Sequence, residues 1–202
     1  MTRIKMCGMT NHEDIDDAIA LGVHAIGLIF YEGSSRFVTE EQAKTLLNHV
    51  PPFVSCVAVM VNPDTDAVLS LMRALPRIDC LQFHGDESAT FCEQFNKPYI
   101  KACQAISTEA ILQCINEHKK AEAILLDTPS KQYGGSGDMF DWHLIPKNLS
   151  KPLILSGGLN ALNIREALLQ VKPYAIDICS GIESKKGKKD KLKMQAVMRE
   201  LT

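Results

Sequence analysis

The sequence predicts an α/β protein, a closed (β/α)8 barrel of the TIM type, as a single domain over residues 1–202. Three observations predict it. Eight short apolar runs recur along the 202 residues, and a polar turn and a stretch with helical spacing follow each one. The runs are continuous rather than alternating, as strands covered on both faces require. No Gly-x-Gly-x-x-Gly turn follows the first run, which argues against the competing architecture, an open doubly wound sheet. About 25 residues per strand-helix unit is near the lower size limit for eight units (roughly 200 residues).

The runs in order are "RIKMC" (3–7), "AIGLIF" (25–30), "FVSCVAVMV" (53–61), "IDCLQFH" (78–84), "PYIKAC" (98–103), "AEAILLD" (121–127), "PLILS" (152–156) and "YAIDIC" (174–179). A helix is expected after each. Thr10-x-x-Glu13 and Thr39-x-x-Gln42 fit capping boxes for the first two, and Asn62-Pro63-Asp64 suits the start of the third. The basic stretch "SKKGKKDKLK" (184–193) is short and isolated, so it reads as the approach to the last helix rather than a nucleic-acid site.

Composition narrows the partners. A net charge of -2 with interspersed signs gives no electrostatic reason for DNA, RNA or an anionic membrane, so a small molecule is expected, with a monomer or homodimer as the working form. The longest apolar stretch, "AIALGVHAIGLIF", is broken by Gly22, His24 and Gly27, too short to span a bilayer, and no secretory leader pattern opens the chain. A cytoplasmic protein is expected. Seven cysteines with no CxxC pair fit reduced thiols in mostly apolar settings. No cysteine-histidine cluster has ligand spacing, and no metal is expected.

In such a barrel the chemistry gathers where the strands stop. The last three strands are followed by "YGGSG" (133–137), "SGGLN" (156–160) and "CSGIE" (179–183). Backbone amides approach an anion closely only where side chains are absent, so Gly134, Gly135, Gly157, Gly158, Ser180 and Gly181 are read as a phosphate site. Asp127 closes "AILLD"; it either caps a turn or serves as an acid whose pKa burial and substrate anions raise. Cys7 ends the first strand with Lys5 about 7 Å below it on the same face, where an ammonium favours the thiolate. His84 either binds substrate or satisfies a backbone group. Arg36, in "YEGSSRF", either forks a substrate carboxylate or is a solvated surface arginine.

Together these segments resemble the phosphoribosylanthranilate isomerase family. The resemblance rests on "KMCGMT", "GLIFYEGSSRFV", "LQFHG", "LLDT" with "YGGSGDMFDW", "LSGGLN" and "DICSGIE" with "GKKD", in the family's order along the whole chain. It implies a cofactor-free Amadori rearrangement in tryptophan biosynthesis, with Cys7 as general base and Asp127 as general acid. It further implies that the glycine loops hold the phosphate and that Arg36 faces the anthranilate carboxylate; from their positions, Lys5 and His84 are expected as further substrate contacts. Cys179 departs from the serine common in the family at that position. Two other readings stay open: a Schiff-base aldolase using Lys5, and a non-catalytic sugar-phosphate-binding barrel.

Overall fold

The computed structural model of the protein describes residues 2–129 and 139–201. Its strands are β1 (Arg3–Cys7), β2 (Ala25–Ile29), β3 (Ser55–Met60), β4 (Cys80–Phe83), β5 (Tyr99–Gln104), β6 (Ala123–Asp127), β7 (Leu153–Leu155) and β8 (Ala175–Ile178). They form one closed barrel in chain order, and the pairs are parallel. All eight expected runs contain strands: β1 keeps its full length, β5 runs one residue further to Gln104, and the others are trimmed by one or two residues at their ends.

Helices lie outside: α1 (His12–Ala20), α2 (Glu40–Leu47), α3 (Thr65–Ala74), α4 (Ala89–Glu93), α5 (Thr108–Glu117), α6 (Ile164–Val171) and α7 (Lys191–Arg199). Successive strand residues point to opposite faces, so Ile4 and Met6 join the large layer packed between strands and helices. Lys5 and Cys7 point into the barrel. The interior is filled low down by Ile100, Ala102, Ala123, Leu125, Ile154 and Ala175, and beside β1 by Cys7, Val57 and Val59. Among the described residues no helix is long and apolar enough to cross a membrane.

Four local expectations are corrected. The first helix is capped by Asn11, whose side chain accepts from Asp14 N–H, because Thr10 instead donates its hydroxyl to the carbonyl of Gly187. The Thr39–Gln42 box forms as expected, while the third helix takes its cap from Asp64. Between β6 and β7 the described residues carry a 3-10 turn, Trp142–Leu144, in place of a helix. The basic stretch forms a small antiparallel hairpin, β9 (Glu183–Lys185) and β10 (Lys188–Lys189), before α7 begins at its Asp190 cap. Of the cysteines expected as thiols, Cys103 and Cys114 are joined as a disulfide between β5 and α5.

The barrel closes where β1 meets β8, with Lys5 opposite Asp177 in register. Both side chains point inward, and Lys5 Nζ donates to Asp177 Oδ1 at 2.9 Å. Each is about 4% exposed, so the pair is desolvated and neither charge can be removed alone without stranding the other. Asp177→Asn is therefore expected to cost about 3–5 kcal/mol in chemical denaturation, and Lys5→Met with Asp177→Leu to recover most of that loss. Equal losses in the single and double variants would contradict this account of the seam.

Candidate active site

The rim at the carboxyl ends of the strands carries the predicted residues on one arc. In barrel order it runs from Asp127 on β6, through the loops after β7 and β8, to Cys7 on β1 and Arg36 after β2. Cys7 is 5% exposed and stands directly above Lys5. A Cβ placed on Gly27, opposite Cys7 in register, would lie 2.6 Å from Cys7 Sγ and 3.1 Å from Lys5 Nζ, so thiol and ammonium meet over that glycine.

At the other end of the arc, Asp127 is 7% exposed and its Oδ1 accepts from Thr128 N–H at 2.8 Å. Its Oδ2 lies 3.1 Å from His84 Nε2, and His84 Nδ1 lies 3.0 Å from Gln82 Nε2. With the Gln82 amide donating, Nδ1 accepts, and Nε2–H donates to the carboxylate. His84 is thus placed as the partner of Asp127, neither a backbone cap nor remote from the chemistry. A cavity of about 370 Å³ opens beside His84, Asp127 and Thr128, continuing along Lys101 and Gln104.

Between acid and thiol lie the glycines. Gly157 and Gly158 have φ of +85° and +62°, the left-handed region that favours glycine. A side chain at Gly157 would press on Thr128 and reach 3.1 Å from Asp127 Oδ1. The loop after β8 packs on the loop after β7, since a Cβ at Gly181 would collide with the Leu159 carbonyl and lie 3.1 Å from Asn160 Cβ. Gly157, Gly158, Ser180 and Gly181 therefore lie in two half-buried loops packed on one another. Gly134 and Gly135 lie outside the described residues.

Arg36 departs from both sequence readings. It is 7% exposed, and its fork is on an internal carboxylate: Nε and Nη2 donate to Glu183 Oε1 and Oε2, each at 2.7 Å. The same Glu183 Oε1 accepts from Lys189 Nζ at 3.1 Å, and Lys189 Nζ also donates to the Cys179 carbonyl at 3.1 Å. Glu183, Lys189 and Asp177 were not assigned from sequence. Lys189 lies in the run read as the approach to the last helix, and alternation along β10 turns it inward, with Lys188 outward.

Electrostatics revises the expected role of Lys5. Burial alone pulls the Lys5 ammonium down, but Asp177, with Cys7 assisting, holds its pKa above the ordinary lysine value. An amine held in a buried ion pair with Asp177 is a poor Schiff-base nucleophile, which argues against the aldolase reading. Nor does Lys5 make Cys7 acidic by itself. The hydrogen bond with Cys179 and burial push Cys7 up, outweighing Lys5. Cys179 moves the other way, to about 7, drawn down by the Cys7 hydrogen bond against burial, with help from Lys189 and Arg36.

Residues 4–200 match the family model described as N-(5'phosphoribosyl)anthranilate (PRA) isomerase. The chain is 56% identical over 193 residues to the N-(5'-phosphoribosyl)anthranilate isomerase of Legionella pneumophila (strain Corby), covering 95% of this chain and 93% of that one. It is 45% identical over 195 residues to that of Dechloromonas aromatica (strain RCB), covering 96% and 93%. Its structure is similar to the crystal structure of phosphoribosyl anthranilate isomerase from Thermotoga maritima, with a TM-score of 0.91 at 35% identity over 99% of this chain and 98% of that one. It also resembles an isomerase in complex with reduced 1-(o-carboxyphenylamino)-1-deoxyribulose 5-phosphate, with a TM-score of 0.88 at 33% identity, covering 99% and 98%.

The Arg36–Glu183–Lys189 cluster makes a prediction about stability. Burial raises the Glu183 carboxyl, but Arg36 and Lys189 outweigh burial and hold it below its ordinary value. A carboxyl lowered in the folded state contributes stability that is complete above its unfolded pKa and lost as pH falls through its folded one. Glu183→Gln is expected to cost about 3 kcal/mol at neutral pH, and the gap to the unaltered protein should narrow in denaturation experiments as pH drops below the carboxylate range. A gap independent of pH would show that the carboxylate's charge is not what holds the cluster.

Proposed function

The chain belongs to the N-(5'-phosphoribosyl)anthranilate isomerase family, and we infer that it carries out that isomerisation with Asp127 giving a proton to the substrate and Cys7 taking one from it. The reaction converts N-(5'-phosphoribosyl)anthranilate to 1-(2-carboxyphenylamino)-1-deoxyribulose 5-phosphate in tryptophan biosynthesis. The observation that carries the assignment of roles is the arc itself: a carboxyl at one end, a thiol at the other, and packed glycine loops between them.

In the proposed route Asp127 protonates the furanose ring oxygen, opening the ring to a Schiff base between C1 and the anthranilate nitrogen. That cation acidifies the C2 proton, which the Cys7 thiolate takes. The enolamine then collapses to the ketone as C1 gains a proton. No cofactor is required, because electrons and protons only move within the substrate. His84 holds the Asp127 carboxyl toward the site through its Nε2. The phosphate would sit on the backbone amides of Gly157, Gly158, Ser180 and Gly181, completed by Gly134 and Gly135. Arg36, with Nε and Nη2 on Glu183, would offer Nη1 and its charge to the anthranilate carboxylate.

The site has a population problem to solve. With reference values near 8.5 for a thiol and 3.9 for a carboxyl, thiolate with neutral acid is roughly 10^-4.6 as abundant as thiol with carboxylate. A lone thiol beside a lone carboxyl would leave most of the enzyme idle. Cys7→Ala and Asp127→Asn are each expected to lower turnover by at least about 10²-fold, the low end for general acid-base groups, followed as loss of anthranilate fluorescence. Near-normal turnover in either variant would remove that residue from its role, and binding of substrate without turnover by the unaltered protein would favour the non-catalytic barrel.

A further inference from the structure

Cys7 and Cys179 occupy matching places on the two strands that close the barrel. The register pairs Lys5 with Asp177 and Met6 with Ile178, so the next inward-facing pair, one step above the ion pair, is Cys7 with Cys179. Neighbouring strands are about 4.8 Å apart, so the seam register brings the two thiols side by side. Cys179 packs against the interior cluster of Cys7, Val57 and Val59. On its far side Lys189 Nζ is 3.7 Å from Cys179 Sγ. Gly8, at φ +74°, lets the Arg36 stem lie over the same place, because a Cβ there would be 2.7 Å from Arg36 Cδ and 3.0 Å from Cys179 Sγ.

The charges around this thiol pair do not balance. Lys5 and Asp177 lie beneath it on β1 and β8, Arg36 comes from the loop after β2, and Glu183 and Lys189 come from the hairpin. All five are buried. Three cations face two carboxylates. The next buried carboxylate, Asp14 on α1, is matched by Lys188 at 3.1 Å. An unmatched buried cation is costly, and the two thiols are the ionisable groups placed to supply the missing negative charge.

We propose that Cys179 is a positioning residue that shares one negative charge with Cys7 and returns the Cys7 proton to itself when substrate binds. In the free protein the Cys7 S–H donates to a Cys179 thiolate. The step is Cys179–S⁻ with Cys7–SH going to Cys179–SH with Cys7–S⁻, one proton moving between the two neighbouring sulfurs, with no net charge change and no further reactant. Cys7 then takes the C2 proton. This rests on Cys7 being the base, and it supplies the thiolate that Lys5 alone does not.

The test combines thiolate ultraviolet absorbance without substrate and the pH profile of kcat/KM. Burial pushes Cys56 up to about 11 and Cys80 and Cys92 up to about 12, so they stay silent near neutrality. The unaltered protein should show one thiolate titrating at about 7. Cys179→Ala, which leaves Cys7 without its partner, should raise that midpoint and the acid limb of kcat/KM by about one unit or more, a tenfold loss at acidic pH. The deficit should close or reverse at alkaline pH, where an unshared Cys7 is fully thiolate. Cys179→Ser, which keeps the volume and hydrogen bond but cannot ionise, should shift the same way. An unmoved limb, the same fractional loss at every pH, or no thiolate below the ordinary cysteine range would overturn the proposal. The Cys7→Ala protein separates the two readings: retained turnover there removes the base, whereas loss of the neutral thiolate from Cys179→Ala bears only on the shared charge.

Discussion

The buried ion pair between Lys5 and Asp177 is the contact on which the rest of the site depends. It lies where the first strand meets the last, between residues 172 apart in sequence. Fixing Lys5 opposite Asp177 fixes the register of the whole seam, and a slip of one residue would turn every interior side chain of β1 outward. The same register sets Cys7 beside Cys179, and Lys189 of the hairpin reaches Cys179. Closure of the barrel and assembly of the thiol site are one event.

Lys5 serves as counter-charge more than as chemistry. Its ammonium neutralises Asp177 beneath the thiols, while Arg36 and Lys189 bracket Glu183 above them. Electrostatic attraction in such a setting repays desolvation only when the geometry is good and the remaining donors are met. The bidentate fork at 2.7 Å and the ammonium contacts at 2.9 and 3.1 Å meet that condition. The other end of the arc is built differently: Asp127 faces one histidine and one backbone amide and borders Gly157. A single scaffold thus places the Cys7 thiol among buried cations and the Asp127 carboxyl beside the glycine loops.

Much of this was legible in the sequence. Continuous apolar runs located all eight strands, and the rule that chemistry sits at their carboxyl ends singled out Cys7, Asp127 and the glycine loops. What escaped was pairing between distant segments. Arg36 and Glu183 are 147 residues apart, and no local pattern announces that the arginine's fork is spent inside the protein. Lys189 was not singled out because a lysine-rich run looks alike whether or not one member turns inward. The shift of the first cap from Thr10 to Asn11 has the same origin, since Thr10 is claimed by Gly187 from the far end of the chain. Cys179 was visible as a departure from serine, but its meaning needed the seam register.

The central claim is that the Cys7 sulfur removes the proton from C2 of the opened sugar. The most direct measurement follows the loss of deuterium from C2 of labelled substrate, comparing the unaltered protein with Cys7→Ala. The account predicts that deuterium leaves C2 at least about 10²-fold more slowly in the variant, while substrate still binds. Deuterium loss at an unchanged rate would contradict it and move the base elsewhere on the rim.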